Sequence, residues 1–267
     1  MAKETILELV NLKKSYPGLS TLEDISLELE KNQFASVLGP SGCGKSTLFN
    51  IISGLEAPDR GRIIIDGQDY NGRTGRVSYM HQKDLLLPWK NIIDNVCLPL
   101  FIKGIDRKNS YKKAEKYFPE FGLEGFEKNY PFQLSGGMRQ RAALLRTYLF
   151  ADDIMLLDEP FGSLDAITRR NMQTWLLGLF EKLDASVLFI THSIDEAIFL
   201  SDRIYLLSKR PAVISKTEMT DMIFFLLKTM RTPFILFIDF QYILLFAFPT
   251  RAYFFSLQTL SALEVLY

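Results

Sequence analysis

Residues Gly39-Pro40-Ser41-Gly42-Cys43-Gly44-Lys45-Ser46-Thr47 fit the pattern G-x-x-x-x-G-K-[ST]. The apolar run Phe34 to Leu38 precedes them, and a helix-like stretch opens at Lys45. A strand, a glycine loop and a helix in that order confine the chain to folds in which a strand end meets a helix start. The residue types carry a definite chemistry. Glycines let main-chain N–H groups curl toward an anion with no Cβ in the way. The helix N-terminus adds unpaired donors and a partial positive charge. Lys45 can reach the β- and γ-phosphates of a nucleotide, and the Ser46 hydroxyl can ligate Mg²⁺, a hard cation that prefers oxygen. A chance match arises in about one chain in a hundred of this length, and the flanking strand and helix make it rarer still.

The rest of the first 218 residues alternates strand and helix signals. Ile6 to Tyr16 and Thr21 to Glu30 alternate apolar and polar residues, as half-buried strands do. Short strands are expected over Gly61 to Gly67 and Gly75 to His81. From about Leu85 to Leu149 the chain reads as helical, with turns at Pro99, Pro119, Gly122 and Pro131. Ile154 to Leu157, Val187 to Ile190 and Ile204 to Leu207 are compact apolar runs between helical segments, the pattern of buried parallel strands.

Composition narrows the partners. The 267 residues suit one large domain or two small ones, and 48% hydrophobic with 23% charged residues can bury a core. Thirty-one basic and 31 acidic residues cancel. A non-specific nucleic-acid binder would carry a basic excess, so no nucleic-acid partner is expected. Two cysteines, Cys43 and Cys97, make no disulfide framework and suit a reducing compartment. Met1 to Thr5 lacks a signal-peptide pattern.

Two further elements carry chemistry. Ile154-Met155-Leu156-Leu157-Asp158-Glu159-Pro160 is an apolar strand ending in two carboxylates, where open α/β sheets place their ligands. Asp158 would face Mg²⁺ through water, and Glu159 would polarise an attacking water. Ser135-Gly136-Gly137-Met138-Arg139-Gln140-Arg141 opens a helical run to Leu149, a second nest of free N–H groups. One chain thus carries two helix-tip anion sites.

With these motifs the sequence resembles the ATP-binding subunits of ABC transporters, over about residues 3–215. Ser135 to Arg141 is similar to that family's signature, which is far more specific than the phosphate loop. The resemblance implies a P-loop NTPase with a mostly parallel central sheet, an antiparallel β subdomain and a helical signature subdomain over about residues 85–150. It implies a head-to-tail dimer, with each ATP held between the phosphate loop of one subunit and Ser135, Gly136 and Gly137 of the other. By resemblance Tyr16 stacks on adenine; the lesser reading is a plain strand-end tyrosine, since aromatics favour strands anyway. Gln82 touches Mg²⁺ and the attacking water, His192 contacts the γ-phosphate, and Asp165 lies in a loop crossing the interface. His81 reads as structural.

The segment Asp84-Leu85-Leu86-Leu87-Pro88-Trp89-Lys90 resembles one in nitrate, sulfonate and taurine importers that lies near the groove receiving the permease. The implied partners are a second ATP-binding subunit, an integral membrane permease met through Gln82 to Trp89, and indirectly an extracytoplasmic solute-binding protein. The implied place is the cytoplasmic face of the membrane. Cargo would be a nitrate- or sulfonate-like anion or a thiamine-precursor-like compound. The alternatives are a soluble ABC-type ATPase acting on nucleic acid or ribosomes, and an inactive ATP-binding remnant.

The end of the chain departs from that pattern. Residues 219–267 contain 32 apolar residues, six charged ones and no glycine. Phe234 to Phe248 is apolar but for Asp239 and Gln241, short of the about 20 residues a membrane-spanning helix needs. Three readings stand: an extra helix on the core, a membrane- or permease-binding segment, or the product of a reading-frame shift near codon 217. The abrupt loss of glycine and charge favours the last.

Overall fold

The computed structural model describes residues 4–151 and 153–219, so the apolar stretch beyond Met219 lies outside the described residues. β1 (Thr5–Tyr16) and β2 (Leu19–Glu30) pair antiparallel. β4 (Arg60–Ile65) and the two-residue β5 (Gln68–Asp69) complete a four-stranded sheet ordered β2-β1-β4-β5. A second, six-stranded sheet runs β10 (Ile214–Met219), β9 (Arg203–Leu207), β3 (Phe34–Leu38), β8 (Ser186–Thr191), β7 (Ile154–Asp158), β6 (Ser78–Met80). Its strands are parallel except β10, which is antiparallel to β9. This is the expected fold class.

The unbroken apolar runs of β7 and β8 follow from burial on both faces. Side chains alternate across a strand. Ile154, Leu156, Leu188 and Ile190 join Ala35, Val37 and the antiparallel sheet around α1 (Lys45–Ile52). Met155, Leu157, Val187 and Phe189 join the opposite core, beneath α5 (Gly136–Phe150) and α6 (Ala166–Phe180). Each fully buried Leu or Phe there contributes about 1.5–3 kcal/mol.

The helical region is more broken than its sequence suggests. It contains α2 (Ile92–Val96), α3 (Leu98–Ile102), α4 (Arg107–Glu115), a 3₁₀ turn (Pro131–Gln133) and α5. Residues 85–91 and 116–130 are irregular. Local hydrogen bonding explains the first gap: the Asn91 side chain accepts from Asp94 N at 2.9 Å and so starts α2 there. β5 and β10 were not expected; β5 is too short to show a period. Among the described residues no helix is long and apolar enough to cross a membrane.

The parallel strands set up the site. β3 runs into the glycine loop, β6 into His81 and Gln82, β7 ends at Asp158, and β8 runs into His192. All four exits lie at the carboxyl edge of one sheet, where ligands of open α/β folds bind.

Candidate functional site

The loop from Gly39 to Gly44 is closed on itself. Cys43 N donates to Pro40 O at 3.2 Å, and the Lys45 ammonium donates to Gly39 O at 2.8 Å and Pro40 O at 3.0 Å. Lys45 is only 7% exposed. Gly44 caps α1 at φ +120°, and a Cβ there would lie 2.9 Å from both Leu22 and Thr21. Only glycine lets the loop turn into the helix so close to β2. Ser41 and Gly42 at the tip are exposed, whereas the Cys43 thiol is buried in the core. Of the predicted loop residues, Cys43 therefore has only its backbone to offer a phosphate.

The Ser46 hydroxyl donates to Asp158 Oδ2 at 3.1 Å, and Tyr79 Oη donates to the same oxygen at 3.2 Å. Burial pushes the Asp158 carboxyl above its ordinary value, against the pull of those two bonds. A hydroxyl and a carboxylate side by side at the start of α1 form a donor set of hard oxygens that fits Mg²⁺. The His81 ring, itself exposed, lies tilted by 35° against that of Tyr79, with centroids 4.0 Å apart.

Glu159, Gln82 and His192 come together from three strand ends. His192 Nδ1 lies 3.0 Å from Glu159 Oε1, and Gln82 Nε2 donates to Glu159 Oε2 at 3.2 Å. Gln82, predicted also as a metal ligand, thus has its carboxamide nitrogen on Glu159. Glu159 takes φ +44°, a left-handed backbone that a non-glycine residue adopts where its surroundings impose it. Its N–H donates to Ile190 O at 3.0 Å, and its carbonyl accepts from Gly162 N at 3.1 Å. His192 is 58% exposed at its side chain and Glu159 is 19% exposed. The pair therefore opens to solvent on the His192 side.

The second anion motif divides. Ser135 is exposed and caps α5, its hydroxyl accepting from Met138 N at 3.3 Å. Gly136 is half-buried, whereas Gly137 is buried, and a Cβ on it would lie 3.2 Å from Thr168 on α6. Gly137 is there for close packing of α5 on α6 as well as for any backbone donor. Asp165 caps α6 by accepting from Thr168 N at 3.0 Å, and the bonds from Thr168 hold its carboxyl below the usual range. Gln140 Nε2 donates to Ser163 Oγ at 3.4 Å, which ties the motif to the loop holding Asp165. Tyr16 is 39% exposed, donates to Glu56 Oε2 at 2.8 Å and has the Lys14 ammonium 5.6 Å from its ring centre.

Several residues escaped the sequence reading. Thr191 Oγ1 donates to Glu196 Oε2 at 2.6 Å and accepts from Ser193 N at 3.0 Å; Gln173 Nε2 holds Glu196 Oε1 at 3.1 Å. This network fixes the peptides on both sides of His192. Its signal was available: Ser193-Ile194-Asp195-Glu196 has the S-x-x-E spacing of a capping box. Asn95, fully buried, accepts from Leu87 N at 2.7 Å and donates to the carbonyls of Leu87, Lys90 and Asn91. It shapes the turn that leaves Trp89 70% exposed and Leu85 53% exposed. No local pattern marks Asn95, because its partners are chosen by the fold of the loop.

A self-closed glycine loop after β3, a buried carboxylate at the end of β7 and a Glu–His pair beside it define a nucleoside-triphosphate hydrolase of the P-loop class. Comparison with known proteins goes further. The ABC transporter family matches residues 22–162. The chain is 44% identical over 212 residues to the formylaminopyrimidine import ATP-binding protein ThiZ of Halalkalibacterium halodurans, 79% of this chain and 82% of that protein. It is 43% identical over 206 residues to the taurine import ATP-binding protein TauB of Escherichia coli, 77% and 81% of the two chains. Among solved structures it is similar to a dimeric bacterial ABC transporter cassette, at a TM-score of 0.69 and 31% identity, over 80% of this chain and 99% of that one. A post-hydrolysis dimer bound to ADP and Pi gives a TM-score of 0.68 at 29% identity, with the same coverage. The chain belongs to the ABC transporter family, as an ATP-binding cassette that hydrolyses ATP.

Proposed function

We propose that this chain is the ATPase subunit of an importer and works as a head-to-tail homodimer at the cytoplasmic face of a membrane. The observation that carries the reading is the meeting of Gln82, Glu159 and His192 at the sheet edge that also holds the glycine loop. Backbone donors of residues 39–47 and the Lys45 ammonium bind the β- and γ-phosphates of ATP, and Tyr16 receives the adenine. Ser46 and Asp158 would hold Mg²⁺, with Gln82 beside them. Bound there, the ion would supply charge neutralisation on the phosphate oxygens.

Phosphoryl transfer leaves the protein mainly positioning and charge stabilisation. Glu159 orients the attacking water and accepts its proton. His192 steadies Glu159 and the γ-phosphate, and Gln82 holds the other carboxylate oxygen. Ser135 and Gly136 of one subunit close over the ATP of its partner, with Gly137 packing the helix tip and Asp165 at the crossing loop.

The permease docks on the exposed Leu85–Trp89 turn, and an extracytoplasmic solute-binding protein acts through the permease. Cargo is a small organic or inorganic anion of the sulfonate type or a pyrimidine precursor, in line with what the TauB and ThiZ names state of those relatives. The test is ATP-driven uptake in membrane vesicles holding this chain and its neighbouring permease, with taurine, an alkanesulfonate, nitrate and formylaminopyrimidine offered in turn. Uptake of one, lost in Glu159→Gln, supports the reading. ATP hydrolysis with no permease co-purifying overturns the importer assignment.

A further inference from the structure

Asp84 joins two parts of the molecule that the reaction just described treats separately. Its Oδ1 accepts from Leu86 N at 3.1 Å, and its Oδ2 accepts from Arg139 Nε at 3.3 Å. Through Nη1, Arg139 also donates to the carbonyl of Leu134 at 2.8 Å, the residue before Ser135. Seven residues further along α5, two turns and hence on the same face, Arg146 donates to the main-chain carbonyls of Asp84 at 2.5 Å and Leu85 at 2.8 Å. All three arginine contacts to this loop are charge-assisted, the stronger kind of hydrogen bond.

Residues 81–91 contain no helix or strand, so these bonds from α5 are a large part of what fixes them. Leu85 takes φ +47°, a backbone that an isolated leucine avoids. Two residues before Asp84, Gln82 Nε2 meets Glu159 Oε2 at 3.2 Å. Only Lys83 separates Asp84 from Gln82, a span of at most about 7 Å, so a displacement of Asp84 bears directly on the backbone of Gln82.

We propose that Asp84 is a positioning residue: through Arg139 and Arg146 it sets Gln82 against Glu159 by the orientation of α5. The exposed Ser135 tip of a subunit then governs the geometry of that same subunit's hydrolytic site. The inference rests on the roles given above to Glu159 and Gln82. A helix is stiff, so a tilt imposed at Ser135 reaches Arg139 and Arg146 as one displacement. A shift of about 1 Å at a catalytic group costs up to about a hundredfold in rate.

The test is phosphate release by the full chain across ATP concentrations, for Asp84→Ala, Asp84→Asn, Gln82→Ala and the Asp84→Ala/Gln82→Ala pair. Asp84→Ala lowers kcat by about tenfold and leaves KM for ATP nearly unchanged. Asp84→Asn, which can still accept from Leu86 N and Arg139, keeps most of the rate. In the Gln82→Ala background Asp84→Ala has almost no further effect, because it acts through Gln82. An unchanged kcat in Asp84→Ala, or the same fractional loss with and without Gln82, overturns the proposal. Should Asp84→Ala not fold, Arg139→Ala goes through the same cycle and is read the same way. Glu159→Gln is measured alongside: hydrolysis at the natural rate there overturns the site assignment itself, which separates that failure from failure of the Asp84 role.

Discussion

His192 Nδ1 and Glu159 Oε1 lie 3.0 Å apart, while the other oxygen of the same carboxylate accepts from Gln82. Glu159 is thereby gripped from two strand ends and has few orientations left. Glu159→Gln keeps the size and one acceptor oxygen but loses the charge that draws a proton from water. Hydrolysis falls about 10²–10⁴-fold, while ATP binding persists and an ATP-bound dimer accumulates. Phosphate release and gel filtration with ATP check both halves.

Lys45 is buried among the carbonyls it binds, so its loss is felt mainly by a polyanion. Lys45→Ala removes a charge-assisted contact of about 1.5–3 kcal/mol, equivalent to a drop in nucleotide affinity of about ten- to a hundredfold. Titration with a fluorescent ATP analogue measures it.

The Asp158 carboxyl gives a pH dependence with a definite sign. Burial raises its folded-state pKa above the ordinary value of 3.8. The folded chain then holds that proton more tightly than the unfolded chain. The resulting stability is complete below the unfolded value and is lost as pH rises through the raised folded value. Asp158→Asn abolishes this titration. Without nucleotide, the variant gains on the natural chain as pH climbs from about 4 toward 7, and parallel thermal melts at the two ends of that range report it.

Asn95 is fully buried with its side chain holding four backbone groups of residues 87–91. Asn95→Ala strands those groups and costs about 1–3 kcal/mol, seen as a lower midpoint in urea. Trp89→Ala at the exposed apex changes stability by less than about 0.5 kcal/mol but reduces co-purification of the permease. A large loss of stability in Trp89→Ala would place that ring in the core instead.

The apolar stretch from residue 219 is expected to come from a reading-frame shift. Translating the DNA across codons 210–225 in all three frames should reveal a polar, family-like continuation in another frame. Its absence ends that reading.

Much of this architecture is legible in the residues, for identifiable reasons. β3, β7 and β8 are buried on both faces, and their apolar runs stand out against polar surroundings. The phosphate loop is legible because its chemistry demands closely spaced glycines with one lysine. Gln82 and His192 carry no such local signature and are reached through the family resemblance. The stretch from Leu85 to Asn91 reads as helix from its residues but is not one. Its shape comes from Asn95 and Arg146, which lie outside it on α2 and α5. Gly137 shows the opposite limit. Its lack of a side chain signals freedom to bind an anion, whereas the contact with Thr168 that also requires it lies across the helix pair.

The lysine that grips its own loop has one more effect. Its Nζ is held by two carbonyls of the loop it serves, so the place of the cation is fixed by the same turn that aims the main-chain donors. Cation and donors are in this way set by one backbone turn, and a change that alters the turn displaces both together.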